Sequence, residues 1–305
     1  MQTILGVGNL GRELAVLLPQ YTDRIRLVGR NPEKVNIDDE LFVADLTNAE
    51  QTLRAVENSE IVYLTVGLPY NTKVWQVEWP VVMRNVIEAC KVHSTKLVFF
   101  DNVYMYGKVD GWMTEETLIK PTSKKGEVRA QISKMLMEEV RKGELKALIA
   151  RCADFYGPNV TTSAASIMIF DNLKKGKKAQ WVLNDTAKHS FTYVPDAARA
   201  MAILGNTESA YNQIWHLPTD KNALTGKEFV GLVAKALGVP MNYIVLSRWM
   251  LRIIGLFVSP VRENMEILYQ NETDYLFDSS KFDKAFAFKA TSYHEGIVTT
   301  AQAMK

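Results

Sequence analysis

Thr3-Ile4-Leu5-Gly6-Val7-Gly8-Asn9-Leu10-Gly11-Arg12 is the stretch on which the fold turns. A short apolar run reaches Gly6, and a helical repeat follows at Leu10, Leu14, Leu17 and Leu18. Between them lies G-x-G-x-x-G, and in a strand–turn–helix each glycine has a separate job. Gly6 makes the tight turn, Gly8 lets the backbone approach a pyrophosphate, and Gly11 lets the helix pack on the strand. The free N–H groups and dipole at the helix start favour phosphate. The expected phosphate cradle is therefore Gly6, Gly8, Asn9, Leu10 and Gly11. The alternative is a glycine-rich turn that holds nothing.

Working outward, Arg26-Leu27-Val28-Gly29-Arg30 reads as a second strand. Its end falls roughly 20 residues past the glycine turn, where a ribose-reading residue is expected. An acid there would take a ribose 2′-hydroxyl. The chain has Arg30, whose guanidinium suits a 2′-phosphate, so NADP is expected over NAD; otherwise Arg30 is a surface arginine. A third strand, Leu41 to Leu46, ends at Asp45. That acid either meets an adenine amino group beside Leu46 or caps a helix starting near Thr47. Ile61 to Val66 is a continuous apolar strand of the kind buried on both faces, and Val66 and Gly67 end it where a cofactor would pass. A helix is expected from about Pro80 to His93 with proline in its first turn, then a strand at Lys96–Phe100. A long helix is expected from about Glu127 to Lys142, then a strand from Leu145 to Ala150. Strands alternating with helices predict a doubly wound parallel sheet.

The bulk composition narrows the function. Of 305 residues 47% are hydrophobic, enough for a sizeable core, and 36 basic against 34 acidic residues leave a formal charge of +2. That balance argues against nucleic acid or an acidic membrane as the main partner and points to a small-molecule substrate. Cys90 and Cys152, each in an apolar context, read as buried thiols of a reducing, cytoplasmic compartment. No targeting segment precedes the first strand. His93, His189, His216 and His294 are scattered, so no metal site is expected. Trp249 to Val258 suggests a membrane-surface helix, but it is too short to span a bilayer and not basic enough to adsorb strongly, so it reads as core or a substrate-pocket wall. Thr225 and Glu228 have capping-box spacing for a helix.

The order of motifs resembles the extended short-chain dehydrogenase/reductase superfamily, the nucleotide-sugar epimerases and dehydratases, over nearly the whole chain. Asp101-Asn102-Val103-Tyr104-Met105-Tyr106-Gly107 is similar to that family's Ser-Ser-x-x-x-Tyr-Gly. Arg151 to Pro158 resembles Arg-x-x-Asn-Val-Tyr-Gly-Pro, and His189 to Asp196 resembles Arg-Asp-Phe-x-x-Val-x-Asp. Ile214 to Leu217 matches a Tyr-Asn-Val-Gly strand. The resemblance implies an α/β fold: a Rossmann-type doubly wound parallel sheet with a smaller, mixed C-terminal substrate domain. It implies residues 1–156 as the dinucleotide-binding domain, with contributions from about 188–218, and 157–305 as the interleaved substrate region. It also implies a homodimer, because the family's matching helices form a four-helix bundle.

The family's catalytic unit is Tyr-x-x-x-Lys with a Ser or Thr. Aligned on Lys134, the tyrosine position holds Ala130, which cannot move a proton, and the serine position holds Asn102. The glycine turn and the missing tyrosine resemble the atypical branch of the superfamily, and His189 replaces an arginine that holds a sugar-nucleotide diphosphate. The candidate catalytic residues are then Tyr104, Asn102 and Lys134. Tyr104 is expected to have its pKa lowered by Lys134, Asn102 to orient a carbonyl, and Lys134 to anchor ribose. Asp154 is expected at the cofactor and is the next proton-transfer candidate, or else caps a turn. Tyr104 as a buried aromatic, Lys124 and Lys125 as a solvated loop pair and His189 as an ordinary core histidine are the plain alternatives. Two functions fit: an NAD(P)-dependent oxidoreductase or epimerase-like enzyme with a non-standard acid/base, acting on a small carbonyl or hydroxyl substrate, or an inactive NADP(H)-binding sensor.

Overall fold

A computed structural model describes residues 1–304. Seven strands make the central sheet: β1 (Gln2–Leu5), β2 (Ile25–Gly29), β3 (Glu40–Val43), β4 (Ile61–Leu64), β5 (Lys96–Asp101), β6 (Ala147–Arg151) and β7 (Ile214–His216). Their spatial order is β3-β2-β1-β4-β5-β6-β7, and every pairing is parallel. The strand order reverses between β1 and β4, so the crevice for a ligand opens at their carboxyl ends. β1 and β4 are buried along their whole length, β4 as a continuous apolar run of the kind a parallel interior takes and β1 with Gln2 and Thr3 hydrogen-bonded to Asn206 and Ser59.

Neighbouring side chains on a strand feed opposite layers. Ile4 and Tyr63 join the layer under α1 (Asn9–Leu17), with α5 (Val194–Gly205) packed beside it. Leu5, Val62 and Leu64 join the layer under α2 (Ala49–Val56), α3 (Thr72–Val92) and α4 (Lys124–Arg141). The doubly wound sheet is as expected.

Several helix boundaries differ from the sequence reading. α3 starts two turns early, because Asn71 accepts from the Val74 N–H and caps it. Pro80 is therefore internal, and burial of Trp75, Trp79, Val82 and Met83 keeps the helix continuous across the missing donor. Ser123 caps α4 in the same way, so Lys124 and Lys125 belong to its first turn and not to a loop. The helix after β3 is capped by Asn48, not Asp45.

The C-terminal half is mixed. Phe191–Tyr193 pairs in parallel with Asp154–Tyr156, and Thr225 with Glu228 closes the expected capping box on the helix Gly226–Leu237. Trp249 to Val258 is not core. Trp249, Ile253, Leu256 and Phe257 of the helix Arg248–Phe257 face solvent, while Leu251 and Gly255 face inward. Among the described residues no helix is long and apolar enough to cross a membrane, and no cluster of metal-ligating side chains forms.

Candidate functional site

The glycine turn has the geometry its spacing implies. Gly6 lies at φ +106°, and a Cβ there would fall 2.4 Å from the Val66 Cα. A Cβ on Gly11 would fall 2.2 Å from the Gly6 carbonyl oxygen, so helix and strand touch backbone to backbone. Thr65 Oγ1 donates to that same carbonyl at 2.6 Å. Gly8 differs. It is exposed, and a Cβ there would meet no protein atom within 4 Å. It precedes α1 with no side-chain cap, so no side chain satisfies the first helical N–H groups. An anion fits that position.

The neighbouring candidates divide. Leu10 is a core side chain and presents only its backbone to the turn. The Asn9 amide donates to Thr162 Oγ1 at 2.8 Å, which ties the turn to the loop after Pro158. Arg30 is exposed at the end of β2. Asp45 Oδ1 accepts from the Thr47 N–H (2.9 Å) and hydroxyl (2.8 Å); those bonds, with the nearby Arg30 charge, hold its pKa below the usual value. Leu46 is buried, and its carbonyl accepts from Asn85 Nδ2 at 2.9 Å. Val66 backs the turn, and Gly67 is exposed.

Below the crevice lies a buried charge network. Arg129 Nε donates to Asp101 Oδ1 at 2.6 Å, and the Arg129 guanidinium sits 4.5 Å from the Trp79 ring centre. Arg151 Nε lies 3.5 Å from Asp101 Oδ2; its other nitrogens donate to the Tyr106 hydroxyl (2.8 Å) and Ser133 Oγ (2.9 Å). Tyr106 in turn meets His216 Nε2 at 2.8 Å, and His216 Nδ1 meets the Asp278 carbonyl at 2.8 Å. Burial pushes the His216 pKa down to about 3, so the ring is neutral and the chain of donors runs from Arg151 through Tyr106 to His216.

Tyr104 and Asn102 stand at the carboxyl end of β5. Asn102 Oδ1 accepts from the Tyr104 N–H at 3.1 Å, which leaves the amide NH2 to donate elsewhere. The Tyr104 hydroxyl is 3.3 Å from that of Tyr70, and its ring stacks on Trp75 at 6.3 Å. The expected lowering of its pKa does not occur. Burial drives it well above the ordinary value, and the Asp154 charge acts in the same direction.

The reason is that Lys134 points away. Its side chain is 72% exposed and pairs with Glu138 at 3.7 Å. The lysine that α4 turns inward is Lys125, which is fully buried. Its Nζ donates to Thr72 Oγ1 (2.7 Å), the Glu263 carbonyl (2.8 Å), Glu263 Oε2 (3.0 Å) and Glu266 Oε1 (2.8 Å), and lies 4.8 Å from the Tyr70 ring centre. Burial opposes ionisation of Glu263, but bonds from Thr72 and Lys125 win and hold its pKa down to about 2. Lys125 and Arg129 are four apart on one face. Sequence reading placed the family spacing on Ala130 and Lys134; the inward-facing pair at that spacing is Lys125 and Arg129. The signal that would have found it is the Ser123 cap, which fixes where the helix starts.

Asp154 faces the same crevice from the segment after β6. Its Oδ2 is 3.0 Å from His189 Nε2, and its side chain is 33% exposed against 4% for His189. His189 stacks on Tyr275 at 4.4 Å, and the Tyr275 hydroxyl is buried without a hydrogen-bond partner. The Asp154 charge adds to burial in raising the pKa values of Tyr70, Tyr104, Tyr269 and Tyr275, so four neutral phenols surround one half-open carboxylate.

The profile of the NAD dependent epimerase/dehydratase family matches residues 3–215. Among solved structures, the chain is similar to UDP-glucose 4-epimerase of Thermus thermophilus in complex with NAD, at 17% identity and TM-score 0.81, over 99% of this chain and 98% of that one. It is similar to UDP-glucuronic acid 4-epimerase of Bacillus cereus, also with NAD, at 16% identity and TM-score 0.82, over 100% and 98%. A dTDP-glucose 4,6-dehydratase of Streptomyces venezuelae with NAD and TYD bound gives 15% and 0.79, over 99% and 96%. At these identities the likeness is one of fold. No curated protein matches the chain.

Proposed function

Because this chain belongs to the NAD dependent epimerase/dehydratase family, we propose that it binds a nicotinamide dinucleotide at the glycine turn and acts as an oxidoreductase on a small carbonyl or hydroxyl substrate. The observation that carries the reading is Gly8: an open backbone position before uncapped helical N–H groups. Gly8, Asn9 and Leu10 would hold the pyrophosphate through their backbone, and Val66 and Gly67 would flank the path to the nicotinamide. The bound dinucleotide supplies hydride exchange. The reducing cytoplasm suits the two buried free thiols, Cys90 and Cys152.

Arg30 supports NADP over NAD, since no acid stands at that strand end. Calorimetric titration is expected to show NADPH binding more tightly than NADH, with Arg30→Ala erasing most of the difference. Equal affinities in the parent protein would remove the preference.

Tyr104 is the proton-transfer candidate, in a changed role. A phenol with a raised pKa is neutral at neutral pH, so it gives a proton and does not take one. That suits reduction of a carbonyl, with the Asn102 amide donating to the same oxygen. Tyr104→Phe is expected to cut turnover by about 10²–10⁴, the usual worth of a general acid, and to leave NADPH affinity unchanged. Full activity in Tyr104→Phe would move the role to Asp154, which His189 orients.

The sensor reading is favoured by Lys125. The inward-facing i, i+4 pair of α4 presents an ammonium tied to two glutamates and no phenol. Tight NADPH binding with no turnover across a broad carbonyl screen would put it first. Homodimer assembly would rest on the outer face of α3, where Val77 and Val92 are exposed.

A further inference from the structure

The helix Arg248–Phe257 carries an apolar face that none of the described residues covers. Trp249 is 64% exposed, Ile253 51%, Leu256 72% and Phe257 85%, and Val258 continues the surface. Positions 249, 253, 256 and 257 follow i, i+4, i+7 and i+8, so these side chains form one stripe. The opposite stripe is seated: Leu251 packs with Leu246 and Leu268, and the Gly255 position lies against the Arg262 backbone. The helix is thus held by one face and offers the other to solvent.

Charge and area indicate what covers it. From Phe229 to Arg262 the sequence has no acidic residue and four basic ones, Lys235, Arg248, Arg252 and Arg262. Arg252 and Arg262 are exposed beside the stripe, and Arg248 is held by Glu272. At ordinary side-chain areas the stripe exposes roughly 600 Å², as large as the largest patch on a typical monomer. That is short of the roughly 800 Å² per partner that a stable dimer buries. A single amphipathic helix with aromatic residues at both ends and arginines along its edge matches an anionic bilayer interface, where apolar side chains enter the acyl boundary and cations meet the headgroups.

We propose that this protein docks reversibly on anionic membrane surfaces through the Trp249–Val258 face. The contact would not span the bilayer, and it is independent of the dinucleotide reading. It also sets a geometry: the chain runs from this helix directly into Ser259–Asn264, whose Glu263, with Glu266 two residues beyond the segment, holds Lys125 beside the crevice. The crevice would then lie close to the membrane plane.

The test is co-sedimentation of the full chain with phosphatidylcholine vesicles, with and without phosphatidylserine. Binding is expected on the phosphatidylserine vesicles. It is expected to weaken about 25-fold in Arg252→Ala/Arg262→Ala, at about a factor of five for each arginine. Trp249→Ser/Leu256→Ser/Phe257→Ser changes only exposed side chains. It is expected to stay in the supernatant with an unchanged thermal unfolding curve. No sedimentation of the parent protein with either vesicle would overturn the proposal. So would light scattering that gives a dimer in the parent and a 34.5 kDa monomer in the triple variant, which would make the face a contact between copies.

Discussion

Asp101→Ala is expected to destabilise the protein by about 3–5 kcal/mol, the cost of leaving a buried charge without its partner. Asp101 is the single acid between two buried arginines, and Arg129 and Arg151 are each at most 5% exposed at the side chain. Without the carboxylate, two guanidiniums remain in one desolvated space. Arg151 keeps Tyr106 and Ser133, but Arg129 keeps the Trp75, Trp79 and Phe99 ring faces and a long bond to the Phe100 carbonyl. Asp101→Asn retains the shape and one acceptor, so it is expected to fall between the parent and the alanine variant. At about 2 °C per kcal/mol for a chain of this size, the alanine variant should melt roughly 6–10 °C lower. A loss under about 1 kcal/mol would mean that Arg129 is stabilised mainly by the aromatic faces. The site above should weaken with it, because Asn102 and Tyr104 follow Asp101 directly, and the Asn102 N–H donates to its carboxylate at 2.9 Å.

The network also shows what sequence alone made visible. The sheet was legible because its inner strands are buried on both faces, and a parallel interior takes continuous runs such as Ile61-Val62-Tyr63-Leu64. The glycine turn was legible for a related reason: at Gly6 and Gly11 the backbone leaves no room for a side chain, so the residue type itself reports the geometry. The inward face of α4 was not. Its residues include Lys125, Arg129 and Ser133, buried because partners from Glu263, Asp101 and Arg151 reach them across more than a hundred residues or from another strand. Periodicity cannot distinguish a buried lysine from a solvated one. Lys134 drew attention through a spacing, yet its partner is Glu138 one turn on, an ordinary surface pair. Trp249 to Val258 misled in the opposite sense. Its composition is that of a core, and only the absence of a facing element among the described residues leaves half of it outside.

Gly8→Ala is expected to lower dinucleotide affinity by a hundredfold or more, about 2.7 kcal/mol, while changing stability by less than about 1 kcal/mol. The two effects separate because the residue's own backbone is ordinary. Gly8 lies at φ −82°, which alanine adopts freely, and a Cβ there meets no protein atom within 4 Å. A methyl group at that position projects into the space where the pyrophosphate would lie on the N–H groups of α1. Gly11→Ala provides the contrast. Its Cβ would fall 2.2 Å from the Gly6 carbonyl oxygen, and backbone must move to relieve it. That variant is expected to lose about 1–3 kcal/mol or more of stability, with affinity falling as the turn distorts. Thermal unfolding and NADPH titration on both variants distinguish a ligand site from a merely structural turn. If Gly8→Ala binds NADPH as the parent does, the phosphates do not lie on this turn. If neither variant nor the parent binds, the glycines serve only the packing of α1 on β1, and the proposed oxidoreductase falls with them.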